Sequence, residues 1–453
     1  MTKSSIGIKN VRIIDPYNNM DNVLDILIEN GKITNIAEDI FSQSGNSNSN
    51  LVVIDGTDKI LSPGFIDLHT HLRDPGEEHK ETIETGMRAA AKGGFTTICS
   101  MPNTNPPVDN STTVKYILDE SNKFELIQVL PIGCVTKGRK GMQISEMWDL
   151  KNAGCVGFSD DGDPIYNSEI MQTALQYSEH LGLPVINHCE DTQLSKHSAV
   201  NEGKISNRLG LSGWPNQAED IMIARDIELA KKYGGHLHIA HASTSRSVEL
   251  INDAKNLGVN ITAEVTPHHL TMTDSWLLGH QKDTDVFASL GSEAYDANLK
   301  VNPPLRTKTD IYSLLTGLTE GIIDAIATDH APHALQDKIT TLDDAAYGIN
   351  GLETAFTLLA GLYHQNLLDI VDIINRLTLG AANVISNSIE RPKGIKKGEL
   401  ADIVLLDLNS DFTIIGKDFI SKSKLTPLEG MTLKGKVILT LAKGSIVYEE
   451  NNN

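Results

Sequence analysis

The 453-residue chain carries 39 Lys and Arg against 59 Asp and Glu, a formal net charge of −20. This acidic balance argues against binding to nucleic acid or to an anionic membrane surface, because both require a basic footprint. With 40% hydrophobic and 22% charged residues, the chain can bury a large core, and extensive disorder is not expected.

Two features bear on where the protein is found. No apolar run approaches the roughly 18 residues of a transmembrane helix, and the first residues lack the apolar centre of a signal peptide. The four cysteines are scattered without a Cys-x-x-Cys pair, so we expect reduced, buried thiols and no disulfide framework. We therefore expect a cytoplasmic protein.

The first 60 residues predict short β-strands. Alternating β-branched side chains mark strands over 6–14, 24–29, 32–37 and 51–54. Asn30-Gly31, between the second and third strands, is typical of a two-residue hairpin turn.

After residue 60, apolar runs of strand length alternate with amphipathic stretches of helix length. The eight apolar runs cover 64–68, 96–100, 127–132, 155–158, 184–187, 236–240, 260–265 and 322–327. Helices are predicted between them, among others over 81–91, 168–180, 218–232 and 245–257. Repeated strand–helix alternation predicts a parallel sheet, and eight units predict a closed, TIM-like (β/α)8 barrel in an α/β protein.

Strand character returns near the end of the chain, over 402–406, 412–415, 435–441 and 445–448. The simplest interpretation is one small β-sandwich domain built from both chain ends. The predicted bounds are 1–60 and 395–453 for this domain and 61–394 for the barrel. Two separate β appendages are an alternative that periodicity leaves open.

Metal-ligating residue types follow five of the eight apolar runs, at the strand ends where TIM barrels carry their catalytic groups. In chain order these ends carry His69 and His71, then Asp160 and Asp161, then His188, His241 and Asp329. The two histidines of the first pair point to the same side of an extended strand. Imidazoles and carboxylates suit Zn²⁺, Mn²⁺ or Co²⁺. Four His and two Asp can hold two ions, with one carboxylate bridging, and such a pair activates water.

Other histidines have plainer interpretations. His236 and His238 lie inside the sixth run, and we expect them in the core of the barrel. His268 and His269 follow the seventh run and stay candidates for groups that support the site.

Seven sequence motifs extend over most of the chain. They are DLHTHLRDPG at 67–76, GGFTT at 93–97, MPNTNPP at 101–107, FSDDG at 158–162, VNPPLR at 301–306, ATDHAPH at 327–333 and GINGLET at 348–354. In these motifs the chain resembles the cyclic amidohydrolases, and among them the longer bacterial dihydroorotases.

The resemblance implies a zinc site with one or two Zn²⁺ ions per chain, and two are expected. His69, His71 and Asp329 would hold one ion, and His188 and His241 the other. Many relatives bridge the metals with a carboxylated lysine from the fourth strand, but no lysine lies there in this sequence. The resemblance instead implies a bridging aspartate, and spacing favours Asp161 over Asp160.

The resemblance also implies a substrate site. A carboxylate suits the planar two-donor guanidinium of Arg73. The other residues implied by the resemblance are Asn103 and His333 as further donors, Asn302 at the ring amide, and the backbone of Tyr347 and Gly348 against the ring.

The implied reaction is the reversible, zinc-dependent cyclisation of N-carbamoyl-L-aspartate to L-dihydroorotate in pyrimidine biosynthesis. A metal-bound hydroxide would attack the ring carbonyl, and Asp329 would act as the catalytic acid and base. The alternatives are an allantoinase or a hydantoinase-type dihydropyrimidinase, whose typical members use the carboxylated lysine, and an inactive scaffold for aspartate carbamoyltransferase. That carbamoyltransferase is also a candidate partner of an active enzyme, and a homodimer is expected from the commonest symmetry of oligomers.

Overall fold

The computed structural model describes residues 5–41, 51–279, 293–387 and 392–450. The chain begins with five strands that belong to one sheet. They are β1 (Ser5–Asp15), β2 (Met20–Glu29), β3 (Lys32–Ala37), β4 (Leu51–Asp55) and β5 (Ile60–Pro63). β1 and β2 pair antiparallel, as do β2 and β3 across the predicted turn at Asn30-Gly31, whereas β4 and β5 run parallel to β1.

A barrel of parallel strands follows. Its strands are β6 (Phe65–Thr70), β7 (Phe95–Ser100), β8 (Gln128–Pro131), β9 (Val185–Asn187), β12 (Leu237–Ile239), β13 (Ile261–Val265) and β14 (Ala325–Ile326). Two short strands, β10 (Val200–Asn201) and β11 (Gly213–Trp214), form a separate pair within the loop after β9. A bridge between Thr70 and His330 joins the last strand region to the first.

The fourth predicted barrel strand is not a regular strand. At this position only Phe158 forms β-bridges, to Gly133 on one side and Val185 on the other. Backbone hydrogen bonds still tie the segment to both neighbours, because Phe158 N donates to Pro184 O and Ser159 N to Gly133 O. The segment therefore takes the place of a strand without the regular ladder.

Helices surround the barrel. They are α1 (Ile83–Lys92), α2 (Ser111–Asn122), α3 (Met147–Ala153), α4 (Ser168–Leu181), α5 (Lys204–Leu209), α6 (Gln217–Tyr233), α7 (Ser245–Asn256), α8 (Pro267–Thr271), α9 (Lys308–Thr319), α10 (Leu335–Lys338), α11 (Ala355–His364), α12 (Ile370–Leu377) and α13 (Leu379–Val384). The four helices predicted above appear as α1, α4, α6 and α7. Local sequence explains their starts: Thr82, Asn167 and Thr244 cap α1, α4 and α7 with side-chain oxygens that accept backbone N–H bonds.

The chain ends in β15 (Ile403–Thr413), β16 (Thr432–Ala442) and β17 (Ser445–Glu449). These join the opening strands in an eight-stranded sheet in the order β17-β16-β15-β5-β1-β2-β3, with β4 paired to β1. Both chain ends thus build one β domain, as predicted. The two strands predicted over 402–406 and 412–415 are one strand, since β15 pairs with β16 on both sides of a register shift between Asp407 and Asp411. At this shift the Asp407 side chain accepts hydrogen bonds from the backbone N–H groups of Asn409 and Ser410.

The β domain and the barrel share a continuous apolar core. Val404, Leu406 and Val437 from the last strands join the same buried cluster as Phe65 and Phe356 of the barrel. All four cysteines are free and buried, as predicted. Among the described residues, no helix combines the length and apolar character that crossing a membrane requires.

Candidate active site

The carboxyl ends of the barrel strands bring four histidines together around Asp161. Its Oδ2 lies 3.3 Å from His69 Nε2 and 3.5 Å from His71 Nε2. Its Oδ1 lies 3.5 Å from both His188 Nδ1 and His241 Nε2. Asp161 therefore lies between one histidine pair from the first strand and another from the fifth and sixth.

Asp329 completes the cluster from the eighth strand. Its Oδ1 lies 3.0 Å from His71 Nε2 and 3.7 Å from His69 Nε2. Two overlapping groups have ligand atoms within 4.8 Å of one another: His69, His71 and Asp329 form one, and His69, Asp161 and His241 the other. These residues could hold divalent metal.

The chemistry of the cluster fits a metal. His69 Nε2 and Asp161 Oδ1 are buried and have no hydrogen-bond partner. A buried polar atom without a partner is costly, by about 1–3 kcal/mol or more for a charged group, and a cation between the two would satisfy both. Nitrogen and carboxylate donors in this number suit a divalent transition metal or zinc.

The neighbouring Asp160 lies outside the cluster. Its carboxylate accepts a hydrogen bond from Thr136 N at 3.0 Å and one from Thr136 Oγ1 at 2.5 Å. Asp160 therefore ties the loop after the third strand to the fourth, whereas Asp161 faces the histidines.

Hydrogen bonds on the far side of three histidines determine which ring nitrogen faces the cluster. His71 Nδ1 donates to Asn103 Oδ1 at 2.8 Å, His188 Nε2 to Glu190 Oε2 at 2.9 Å, and His69 Nδ1 to Glu264 Oε1 at 2.7 Å. An oxygen in this position can only accept, so in a neutral imidazole held this way the opposite nitrogen carries the lone pair that a metal would take.

Sequence reasoning missed both of these glutamates. For Glu264 the available signal was a single acid inside an apolar strand, and for Glu190 an acid two residues after a ligand histidine.

Electrostatics keeps the two aspartates ionised. Burial raises the pKa of Asp161, but the surrounding histidines, His69 foremost, favour its charged form by more and hold that pKa well below the usual range. Burial likewise raises the pKa of Asp329, and the hydrogen bond with His71 and nearby histidine charge lower it by more. Both side chains are therefore carboxylates at neutral pH.

Three site residues have left-handed backbone conformations. The φ angles are 61° at Arg73, 33° at His241 and 46° at Asp329. Such values are uncommon outside glycine and cluster where side chains are held for function. All three residues line one cavity at this end of the barrel.

One cavity of about 350 Å³ unites the predicted residues. All of those predicted for metal or substrate line it except His69, which is buried and contacts Asp161 and Asp329 instead. Arg73 is itself mostly buried; its Nε donates to Pro332 O at 3.3 Å, and its Nη2 lies 3.4 Å from His333 Nε2. Among the described residues, none places a carboxylate in ion-pair contact with Arg73.

Several predicted substrate groups are already hydrogen-bonded within the protein. His333 Nε2 donates to Tyr347 O at 2.7 Å, and Gly348 N donates to Lys300 O at 2.9 Å. Asn302 Nδ2 donates to Glu190 Oε2 at 3.0 Å. The backbone predicted to contact the substrate ring is thus engaged within the protein in this structure.

Comparison with known proteins gives the family. A family model described as dihydro-orotase-like matches residues 58–247. The chain is 46% identical over 445 residues to a dihydroorotase of Thermoanaerobacter sp. (strain X514), covering 98% of this chain and 97% of that protein. The chain belongs to the dihydroorotase family. Family members from Syntrophus aciditrophicus and Aquifex aeolicus are each 44% identical over 98% of this chain and over 100% and 99% of their own lengths.

Solved structures agree on the fold. The L-hydantoinase (dihydropyrimidinase) from Arthrobacter aurescens has a TM-score of 0.83 at 24% identity, covering 100% of this chain and 97% of that one. The likeness shows the shared architecture, a barrel with a β domain, and family membership confirms the predicted class of cyclic amide hydrolase.

Proposed function

We propose that this member of the dihydroorotase family interconverts L-dihydroorotate and N-carbamoyl-L-aspartate in pyrimidine biosynthesis. In the hydrolytic direction, water adds to a ring carbonyl, the ring C–N bond breaks, and the ring nitrogen takes a proton. The single observation that carries the proposal is that the His/Asp cluster and Arg73, which forms no ion pair within the described part of the chain, face one cavity.

We assign two Zn²⁺ sites to the cluster. His69, His71 and Asp329 would hold one ion, His188 and His241 the other, and Asp161 would bridge them, in keeping with its position between the two histidine pairs. Bound there, such ions make water more acidic and polarise a carbonyl oxygen.

Arg73 would bind the substrate carboxylate. Its guanidinium is planar and presents two parallel donors, a geometry that a carboxylate matches. Burial and the charge of Arg73 lower the pKa of His333 to about 3, so the imidazole beside Arg73 is neutral and Arg73 carries the positive charge of this pair. The positive charge of Arg73 does not strengthen the binding of a neutral amide or ring. The arrangement therefore favours an anionic substrate.

Asp329 would move the proton. It is ionised, and its Oδ1 faces the histidine pair at the edge of the cavity. A carboxylate in that place can accept a proton from the attacking water and return it to the leaving ring nitrogen.

Hydrolysis of L-dihydroorotate by zinc-loaded protein tests the proposal, with allantoin and dihydrouracil in parallel and Asp329→Ala as the blank. We expect turnover of dihydroorotate alone, lost in the variant. Turnover of dihydrouracil or allantoin alone would contradict the role of Arg73. If none of the three substrates is hydrolysed, the assay is repeated with aspartate carbamoyltransferase added. Absence of turnover in that assay as well would contradict the enzymatic proposal.

The proposal extends to assembly and location. We propose a homodimer, the commonest closed symmetry among such proteins, a cytoplasmic location in keeping with four reduced cysteines, and aspartate carbamoyltransferase as a partner. Light scattering of the chain alone and mixed with the carbamoyltransferase measures both assemblies.

A further inference from the structure

A chain of buried hydrogen bonds runs from the metal cluster into the barrel. Glu264, on β13, accepts from His69 Nδ1 at 2.7 Å with Oε1 and from His238 Nε2 at 3.2 Å with Oε2. His238 Nδ1 lies 2.8 Å from Thr262 Oγ1, and Thr262 Oγ1 lies 2.8 Å from His236 Nε2. His69, His238 and Glu264 are fully buried.

Donor and acceptor chemistry gives this chain one consistent direction. An ionised Glu264 only accepts, so both histidine nitrogens that face it carry protons. His238 Nδ1 then has a lone pair and accepts from the Thr262 hydroxyl, whose oxygen accepts in turn from His236 Nε2–H. Burial lowers the pKa of His236 to about 4, so this last histidine is neutral, and a neutral imidazole protonated at Nε2 fits the direction of these bonds.

We propose that Glu264 is a positioning residue for metal capture: it holds His69 with Nε2 unprotonated and aimed at the cluster. The inference rests on the proposed metal site. His238 holds the other carboxylate oxygen and is itself held by Thr262, so Glu264 cannot rotate away from His69 without breaking a second hydrogen bond.

The charge balance separates this role from an ordinary packing role. A carboxylate buried beyond the reach of solvent is costly unless positive charge compensates it. No Lys or Arg among the described residues forms an ion pair with Glu264, whose partners there are His69 and His238. A neutral side chain would serve packing better, whereas a cation held by His69 Nε2 compensates Glu264 through the imidazole ring.

Cobalt titration tests the inference. Metal-depleted full-length protein is titrated with Co²⁺ alone, followed by the visible d–d absorption and by competition with a chelator. We expect Glu264→Gln to weaken Co²⁺ binding by about 10- to 100-fold and to alter the d–d spectrum, as loss of a partner behind a ligand histidine does.

The matched control is Glu353→Gln, the same substitution at another buried carboxylate. Glu353 accepts hydrogen bonds from the backbone N–H groups of Ile420 and Ser421, away from the histidines. We expect its Co²⁺ affinity to stay within about twofold of the unmodified chain. A purely structural role for Glu264 would make the two variants alike, with lowered thermal stability and unchanged metal affinity, and would overturn the inference.

A second variant keeps the test decisive if Glu264→Gln fails to fold. Glu264→Asp keeps the buried charge but withdraws the carboxylate by one methylene, so it cannot bridge His69 and His238. Weaker Co²⁺ binding by this variant supports the inference, and unchanged binding overturns it. Failure of the unmodified chain to bind Co²⁺ would overturn the proposed metal site and this inference with it. Equal binding by variant and parent would overturn only the inference about Glu264.

Discussion

At the scale of single residues, two adjacent aspartates test the assignment of the bridging group, because Asp161 faces the histidines and Asp160 does not. We expect Asp161→Asn to lose at least half of the bound metal and about 100-fold or more in kcat, since the amide cannot supply a bridging charge. Asp160→Asn is the matched variant, because Asp160 bonds to Thr136 and not to the histidines. It should keep its metal while losing about 1–3 kcal/mol of stability. Elemental analysis, turnover and urea unfolding separate the two, and equal metal loss would contradict the assignment.

Arg73 provides a prediction about substrate affinity. Arg73→Met should raise KM for L-dihydroorotate by about 10- to 100-fold, because a charged hydrogen bond contributes about 1.5–3 kcal/mol. Metal content should not change, since Arg73 is not a ligand. Arg88→Met, at an exposed arginine that bonds to Glu84 on the same helix, is the control. A loss of kcat with unchanged KM would contradict this role and would show that Arg73 acts in the chemical step instead of in substrate binding.

The residues that sequence reasoning found and missed differ in a physical way. His69 and His71 are two apart on a strand, so periodicity alone brings them to one side. Glu264 reaches His69 from a strand 195 positions later, and that pairing exists only once the barrel closes. Asp160 and Asp161 are both acidic and both follow the fourth strand; spacing favours Asp161 as the bridging group, and the contact of Asp160 with Thr136 gives the physical reason.

At the scale of elements, the segment from α10 to Gly348, whose last three residues line the cavity, is held by two lysines. Lys338 Nζ donates to Ala297 O and to Lys300 O, each at 3.1 Å. Lys300 Nζ donates in turn to Asp343 O at 2.7 Å. Burial of Lys338 and the charge of Lys300 lower the pKa of Lys338 to about 7, although Asp296 and Asp337 act in the opposite direction.

This lysine makes stability depend on pH with a definite sign. Between pH 7 and the ordinary lysine value near 10.5, the unfolded chain binds more protons at Lys338 than the folded chain, so its contribution to stability rises with pH. Below pH 7 the folded state carries the full cost of the buried charge. Lys338→Met should therefore be more favourable to stability at pH 6 than at pH 9.5, by a few kcal/mol at most.

Urea unfolding of the parent and of Lys338→Met at the two pH values measures that difference. Lys308→Met, at a lysine on the first turn of α9 that lies over the ring of Tyr312, is the control and should show no such dependence. A stability difference between Lys338→Met and the parent that is the same at both pH values would contradict the buried charge.

Periodicity predicted the long elements and failed where backbone pairing comes from far along the chain. The helices over 168–180 and 218–232 carry clear amphipathic patterns, and the structure has them within two residues of those bounds. β5 escaped prediction because Ile60–Pro63 runs directly into the first barrel strand, and one of its two partners, β15, lies at the other end of the chain. Hydrogen bonds across such distances leave no local pattern.

At the scale of the whole molecule, contacts with the β domain stabilise the barrel. β5 precedes β6 by one residue and pairs with β15 from Ile60 to Pro63. Glu81, which contacts His330 beside Asp329, accepts a hydrogen bond from Ser421 Oγ at 2.5 Å. A terminal segment of about 50 residues can be removed without harm only if it buries little apolar surface. Here Val404, Leu406 and Val437 of that segment are part of the shared core.

A fragment of residues 61–394 tests this dependence. It cuts through β5 and exposes Phe65 and Phe356, which in the full chain pack with Val404, Leu406 and Val437. Exposed apolar surface of this kind leads to aggregation, so we expect the fragment to elute as aggregates and to lack a cooperative unfolding transition, whereas the full chain unfolds cooperatively. Size-exclusion chromatography and circular dichroism on both proteins make the comparison. A monodisperse fragment that unfolds cooperatively and still binds Co²⁺ would show instead that the barrel is an independent folding unit, with the two chain ends attached to it as a separable domain.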